Sequence, residues 1–301
     1  MISSQALPLR RPVHWFSRAV TSPTGIRNRY CTSSGGARKR SSRNRVLLVR
    51  CHFRVVLLVA TCLPNIAIAN EFLTIAVASN FTATAQEIAV KFTAATDVGV
   101  RISAGSTGKL YAQIVHGAPF DVYLAADAER PELLEHSGHA VMGTRFTYAI
   151  GALVLWSQDA KLEGQDCREV LQVGAYDHVA LANPRTAPYG RAAREVLVAA
   201  GLWEAASARA VFGENITQTF QFVATGNATL GFVARSQIVS GGFDEPSCAW
   251  PVPSSLHGDL HQQAVLLSGS NKKSVARKFL QYLRSPAVTG ILNRHGYTVS
   301  Q

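Results

Sequence analysis

Residues 1–69 contain no Asp or Glu, although 12 of the 30 Lys and Arg residues of the 301-residue chain lie there. The formal net charge of +11 therefore belongs to this leading segment, and residues 70–301 carry 18 basic against 19 acidic side chains. That balance excludes a nucleic-acid role argued from overall charge. Long apolar runs are missing as well. Val55–Ala60 ends at Pro64 and falls short of the roughly 20 residues of a membrane span. Cysteine is scarce: Cys31, Cys51 and Cys62 lie in the leading segment, and only Cys167 and Cys248 lie beyond it. There is no Gly-x-Ser-x-Gly elbow and no Cys in a catalytic motif, so the usual covalent nucleophiles have no setting. Gly105-Ser106-Thr107-Gly108-Lys109 is not a phosphate loop, because two residues rather than four separate its glycines and Leu110 follows the Lys.

The leading segment reads as a secretion signal with an overlong front. Arg50 and Arg54 precede the apolar core, and Ala67-Ile68-Ala69 fits a small-x-small cleavage site, giving a mature start at Asn70. Residues 1–45 fit no targeting class well. A start placed too far upstream, with initiation near Val46, Val49 or Val55, accounts for them better than an Arg/Ser-rich transit peptide. Thr61 argues against lipidation at Cys62. In an oxidising compartment Cys167 and Cys248 are expected to form one disulfide, closing a loop of about 80 residues and stabilising by roughly 4 kcal/mol on the loop-entropy account. Two buried free thiols are the alternative.

Beyond residue 70 the apolar pattern alternates between strand and helix. Leu73–Ala78, Val98–Ser103 and Phe120–Ala125 read as strands; Thr82–Thr93, Lys109–His116 and Arg130–His136 read as helices. This alternation predicts a parallel sheet with right-handed crossovers, in which ligands bind beyond the carboxyl ends of strands. Tyr148–Trp156 reads as one longer strand. A second α/β series follows: strand His178–Ala182, helix Arg191–Ala200, helix Asn215–Thr225 and strand Leu230–Val233. Residues 240–262 read as loop, Ala264–Leu267 as a strand leading back to the first domain, and Lys272–Arg284 as an amphipathic helix with Val275, Ala276, Phe279, Leu280 and Leu283 inward.

Two hydroxyl-bearing pairs stand where a strand should end and a helix begin, Ser79-Asn80 and Ser106-Thr107. Helix starts present unpaired N–H groups and the positive end of the helix dipole. Two of them facing one cleft would hold a small oxyanion with no charged side chain. Taken alone, each pair is equally an ordinary helix cap, and Pro188-Tyr189-Gly190 is a turn signal. Asn215 is a candidate cap for the helix beginning near Ile216. Asp121 and Asp127 would repel an anion and read as structural. His257-Gly258-Asp259-Leu260-His261 has no further placed ligand and makes a poor metal site.

Several segments together resemble the periplasmic molybdate-binding proteins of bacterial ABC importers: Ala76–Phe81, Gly105–Ile114, Gly117–Asp127, Arg145–Gly151, Asn183–Gly190 and Gly231–Ala234. They occur in the family's order and span residues 70–301. The resemblance implies an α/β, two-lobed solute-binding fold of type II, with two crossovers at a hinge and the ligand in the interlobe cleft. Lobe I would comprise residues 70–148 and 266–301, and lobe II residues 149–265. It implies a non-enzymatic monomer in the periplasm, without cofactor or nucleic-acid partner, that binds molybdate and tungstate and delivers them to a permease. No side chain would touch the metal directly. Carried over by position, Ser79, Asn80, Ser106, Thr107 and Tyr189 become ligand donors, with Ile216 donating through its backbone. Ala234 stands where some members have a binding Tyr, whose hydroxyl Tyr189 would replace. The same fold binding sulfate or phosphate, an enzyme on the same scaffold and a sensor domain are the competing readings.

Overall fold

A computed structural model describes residues 72–243 and 246–299. The expectations about a leader and its cleavage near Ala69 fall outside the described residues. The first part of the chain runs β1 (Phe72–Ala78), α1 (Thr82–Thr96), β2 (Gly99–Gly105), α2 (Thr107–Val115), β3 (Val122–Leu124), α3 (Glu129–His136) and β4 (Phe146–Ile150). The second part runs β5 (Leu153–Ser157), α4 (Cys167–Val173), β6 (Val179–Ala182), α5 (Pro188–Ala199), α6 (Trp203–Ser207), β7 (Ala210–Gly213), α7 (Ile216–Ala224), β8 (Leu230–Ala234), α8 (Arg235–Ser240) and β9 (Cys248–Pro251). The chain then returns through β10 (His261–Leu266), α9 (Lys273–Leu283) and α10 (Pro286–Arg294).

Two five-stranded sheets result, ordered β2-β1-β3-β10-β4 and β7-β6-β8-β5-β9. Each has three parallel strands followed by an antiparallel one, β10 in the first sheet and β5 in the second. The sheets are therefore mixed rather than wholly parallel, because the strand that carries the chain between them enters in the reverse direction. Both sheets lie within one compact unit.

β1 is nearly continuous in apolar residues because both its faces are covered. Leu73, Ile75 and Val77 pack with Phe92 of α1 and Phe279 of α9, while Ala76 faces Leu110 and Ile114 of α2 and Tyr123 of β3. Phe92 and Phe279 meet edge to face at 5.2 Å between centroids. The five residues expected to face inward on α9 are all buried. In lobe II, Leu155, Leu181 and Phe232 form the core with Ala193 and Val196 of α5.

Three expectations change. Tyr148–Trp156 is two strands in two different sheets, broken at Gly151-Ala152 where the chain crosses between lobes. An uninterrupted run of apolar residues gives no sign of such a break, since both strands are buried. The return crossing lies before His261, not near residue 265, because the whole of β10 pairs with β3 and β4. Its polar beginning, His261-Gln262-Gln263, hides it from hydropathy. Within the stretch read as loop, Cys248–Pro251 forms edge strand β9 against β5.

Cys167 and Cys248 are joined, with Cα atoms 5.4 Å apart and a separation of 81 in sequence. The bond ties α4 to β9, an edge strand whose one sheet neighbour among the described residues is β5. Replacing both cysteines by Ser should lower unfolding stability by about 2–5 kcal/mol. Urea unfolding of that variant checks this, and an unchanged midpoint would show that the bond constrains nothing.

Candidate ligand site between the lobes

Four helices begin where strands end, two in each lobe. In lobe I, β1 runs into one 3-10 turn, Ser79–Phe81, that continues as α1, and β2 ends one residue before Ser106, the N-cap of α2. In lobe II, α5 begins at Pro188 after β6, its Pro in the first turn where no N–H partner is lost, and α7 begins at Ile216 after β7. The expected turn at Pro188-Tyr189-Gly190 is thus the first turn of α5. All four starts converge on one small cavity of about 10 Å³, lined by Ser79, Asn80, Ser106, Thr107, Tyr189 and Ile216 together with Ala78, Ala126, Ala187 and Pro188. The structure therefore brings together all six residues singled out in the sequence. No charged side chain lines the cavity. A larger apolar cavity of about 400 Å³ lies between α8 and β9. It gathers no comparable set of donors, and donors rather than volume decide where an anion sits.

The hydrogen bonds show which donors remain for a ligand. Ser106 caps nothing with its side chain, and its Oγ is buried without a partner. Such an orphan costs about 1–3 kcal/mol unless something fills the cavity. Thr107 Oγ1 accepts the Ala126 N–H at 3.2 Å, so its own proton is left over. Asn215 accepts from the N–H groups of Thr217 and Gln218 at 2.9 and 3.0 Å, and the first N–H of α7, that of Ile216, is left for the cavity. The Asn80 side chain is already engaged. Its amide donates to Gln262 Oε1 at 3.0 Å and to the Tyr297 hydroxyl at 3.1 Å, which leaves its backbone N–H as the donor it can offer the cavity. Tyr189 points inward, and its hydroxyl accepts from Gln262 Nε2 at 3.1 Å. Burial pushes its pKa well above the ordinary phenol value, so the phenol keeps its proton at neutral pH.

Acids and bases nearby are engaged elsewhere. Asp121 accepts from the Thr74 N–H at 2.7 Å and the Ser270 hydroxyl at 2.6 Å. Asp127 caps the start of α3 and pairs with Arg130; burial raises its pKa, and Arg130 opposes the shift. Lys109, expected on the solvated face of α2, pairs with Glu214 of the other lobe at 2.9 Å. Among the described residues no group of three or more His, Cys, Asp or Glu is placed to hold a metal ion.

The lobes are closed on each other. The Gly108 N–H donates to the Thr186 carbonyl at 2.8 Å, Thr217 Oγ1 to the Ser79 carbonyl at 3.1 Å, and Arg191 pairs with Glu129 at 2.6 Å. A Cβ at Gly108 would stand 3.0 Å from Thr186 O and 3.1 Å from its Cα, so a side chain there would press on the backbone across the seam.

The profile of the bacterial extracellular solute-binding proteins matches residues 73–298. The chain belongs to that family. Over 223 residues, 74% of this chain and 88% of the relative, it is 46% identical to the molybdate-binding protein ModA of Azotobacter vinelandii. Identity to ModA of Rhodobacter capsulatus is 43% over 223 residues, 74% of this chain and 86% of the relative. A solved structure of the Azotobacter vinelandii periplasmic molybdate-binding protein superposes with a TM-score of 0.72 at 38% identity, covering 76% of this chain and all of that one.

In this solute-binding protein Ala234 ends β8 without a hydroxyl, and Tyr189 brings one to the cavity from α5. Sequence reasoning missed the residues behind the donors: Gln262, Tyr148, Tyr297 and Gly151. The one available signal was Gln262-Gln263 opening an otherwise apolar strand. Replacing Gly108 by Val should hold the seam apart, giving a larger radius of gyration by small-angle scattering with unchanged circular dichroism; an unchanged radius would show that the seam accepts a side chain.

Proposed function

We propose that this chain is a periplasmic receptor that binds molybdate, and tungstate as well, and delivers the oxyanion to an ABC permease. The observation that carries this reading is a cavity made of neutral donors from four helix starts, with the buried Ser106 hydroxyl unpaired. Helix starts favour anions through their free N–H groups and dipole. The identity to molybdate-binding relatives supports the choice of oxyanion. Selection over sulfate comes from size: donors spaced for the longer metal–oxygen bond leave a smaller anion with unmet groups. Transport requires nothing more than opening and closing, so the receptor acts as a monomer, without cofactor, catalysis or nucleic acid. An enzyme would need an acid or base in the cleft, and the lining offers hydroxyls and an amide only. Export through a signal cleaved near Ala69 completes the reading.

A thermal-shift panel with molybdate, tungstate, sulfate, phosphate and nitrate tests it. A ligand at about 100 times its Kd stabilises by roughly 2.7 kcal/mol. Shifts are expected with molybdate and tungstate; a shift with sulfate or phosphate alone would overturn the ligand.

Substitution distinguishes donors from bystanders. Ser79→Ala combined with Thr107→Ala should raise the Kd for molybdate about 100-fold or more, since hydrogen bonds to charged groups contribute about 1.5–3 kcal/mol each. Lys109→Ala should change it less than about fivefold, because exposed ion pairs contribute about 0–1 kcal/mol. Isothermal titration of the two variants decides, and the reverse order would refute the assignment.

A further inference from the structure

Gln262 is fully buried on the strand that returns from lobe II to lobe I, and it stands behind the lining of the cavity without being part of it. Its strand register shifts between Gln262 and Gln263, an irregularity of the kind that re-aims a side chain. Its Oε1 accepts from Asn80 Nδ2 at 3.0 Å and from the Tyr148 hydroxyl at 3.1 Å, both in lobe I. Its Nε2 donates at 3.1 Å to the Tyr189 hydroxyl of lobe II.

Tyr148 divides its hydroxyl proton between Gln262 Oε1 and the Ala125 carbonyl at 3.2 Å, but the polarity of the path from Tyr297 to Tyr189 follows from one group that cannot rotate. The Tyr297 hydroxyl donates to the backbone carbonyl of Asn80 at 2.9 Å. With that proton committed, the Tyr297 oxygen can only accept from the Asn80 side chain, which turns the Asn80 NH₂ toward both Tyr297 and Gln262. Gln262 must then present its oxygen to Asn80 and its NH₂ to Tyr189. The Tyr189 oxygen accepts that N–H, and its own proton is sent toward the cavity.

We propose that Gln262 is a positioning residue for ligand recognition: it fixes Tyr189 as a donor when the lobes close, so that the cavity takes an oxyanion with no proton of its own. This rests on the oxyanion-receptor reading above. Gly151 belongs to the same device. A Cβ there would overlap the Tyr189 hydroxyl and stand 2.7 Å from Gln262 Nε2, so only glycine lets the two groups meet at the crossover.

Gln262→Glu reverses the polarity of this contact while keeping shape. The carboxylate still accepts from Asn80 and Tyr148, but its second oxygen also accepts, and it draws the Tyr189 proton away from the cavity. When protonated, the carboxyl again has a donor to offer Tyr189. The titratable groups facing this position are Tyr148 of β4, Tyr189 of α5, Tyr297 after α10, Tyr123 of β3 and Asp127 beyond it. Burial raises all four phenols. It also raises Asp127, which remains paired with Arg130 in the wild type and the variant alike.

The experiment is calorimetric titration with molybdate between pH 6 and 8.5. The wild type should bind with little pH dependence. Gln262→Glu should bind about 10- to 100-fold more weakly at pH 8 and recover as the pH falls. Tyr189→Phe should weaken the wild type more than it weakens the Glu variant. Wild-type affinity in the variant at pH 8, or the same deficit at every pH, would overturn the role of Gln262 and leave the receptor reading standing. A wild type that does not bind molybdate overturns both. If the Glu variant does not fold, Gln262→Met replaces it: a loss of about tenfold, with the Tyr189→Phe effect diminished, supports the role, and unchanged affinity overturns it.

Discussion

A dianion enclosed without a countercharge is held by dipoles alone, and dipoles hold it only if each one points at it. Everything else in this structure serves that constraint. A helix start is the densest source of aimed dipoles a chain can build, because its first N–H groups have no partner of their own. Placing each start at the carboxyl end of a strand fixes its direction through the sheet, and two sheets of like plan fix two starts on each side of the cleft. Cationic side chains are kept out: Lys109, Arg130 and Arg191 all lie near the cleft, and each is engaged with a carboxylate. An arginine in the cavity would attract any anion, whereas neutral donors of fixed position attract only one that reaches all of them.

Closure has to be cheap to reverse, since a receptor must release what it binds. The seam meets that need with few, mostly solvent-facing contacts. Its ion pairs, Lys109–Glu214 and Arg191–Glu129, are well exposed and contribute little each. One contact is backbone on backbone, Gly108 against Thr186, which sets distance more than it adds affinity. The unpaired Ser106 hydroxyl raises the energy of a closed, empty cavity. Closure is therefore favoured mainly when a ligand answers that group, and binding and closing become one event.

Much of this was legible in the sequence, and the limits have physical causes. The strand–helix alternation of lobe I follows from apolar periodicity, and the amphipathic α9 buries the residues its pattern names. The cavity-lining residues were legible because Ser, Thr and Asn at a strand-to-helix junction are chemically conspicuous. What they donate was not. Asn80 reads as a side-chain donor, yet its amide is held by Gln262 and Tyr297, partners 182 and 217 residues away in sequence. The crossovers were misplaced for a similar reason. Apolar character tells buried from exposed, but not one sheet from the other, so Tyr148–Trp156 looked continuous across the break at Gly151. β10 begins earlier than hydropathy indicates because its first residues are polar: Gln262 bonds to Asn80, Tyr148 and Tyr189, and Gln263 to Arg145 and Thr147.

That last point bears on how selectivity is achieved. Tyrosine, serine and threonine hydroxyls both give and accept, so a cavity lined by them has no fixed polarity of its own. Polarity has to be imported from a group that only accepts and cannot rotate, and the Asn80 backbone carbonyl is such a group. Tyr297, the Asn80 amide and Gln262 pass its demand along three side chains from lobe I to lobe II. Because the final bond spans the lobes, Tyr189 acquires a defined direction only in the closed form, at the moment when discrimination between anions matters. A network of this kind stabilises the fold modestly, but it turns an ambiguous hydroxyl into a donor without adding a charge that would bind indiscriminately.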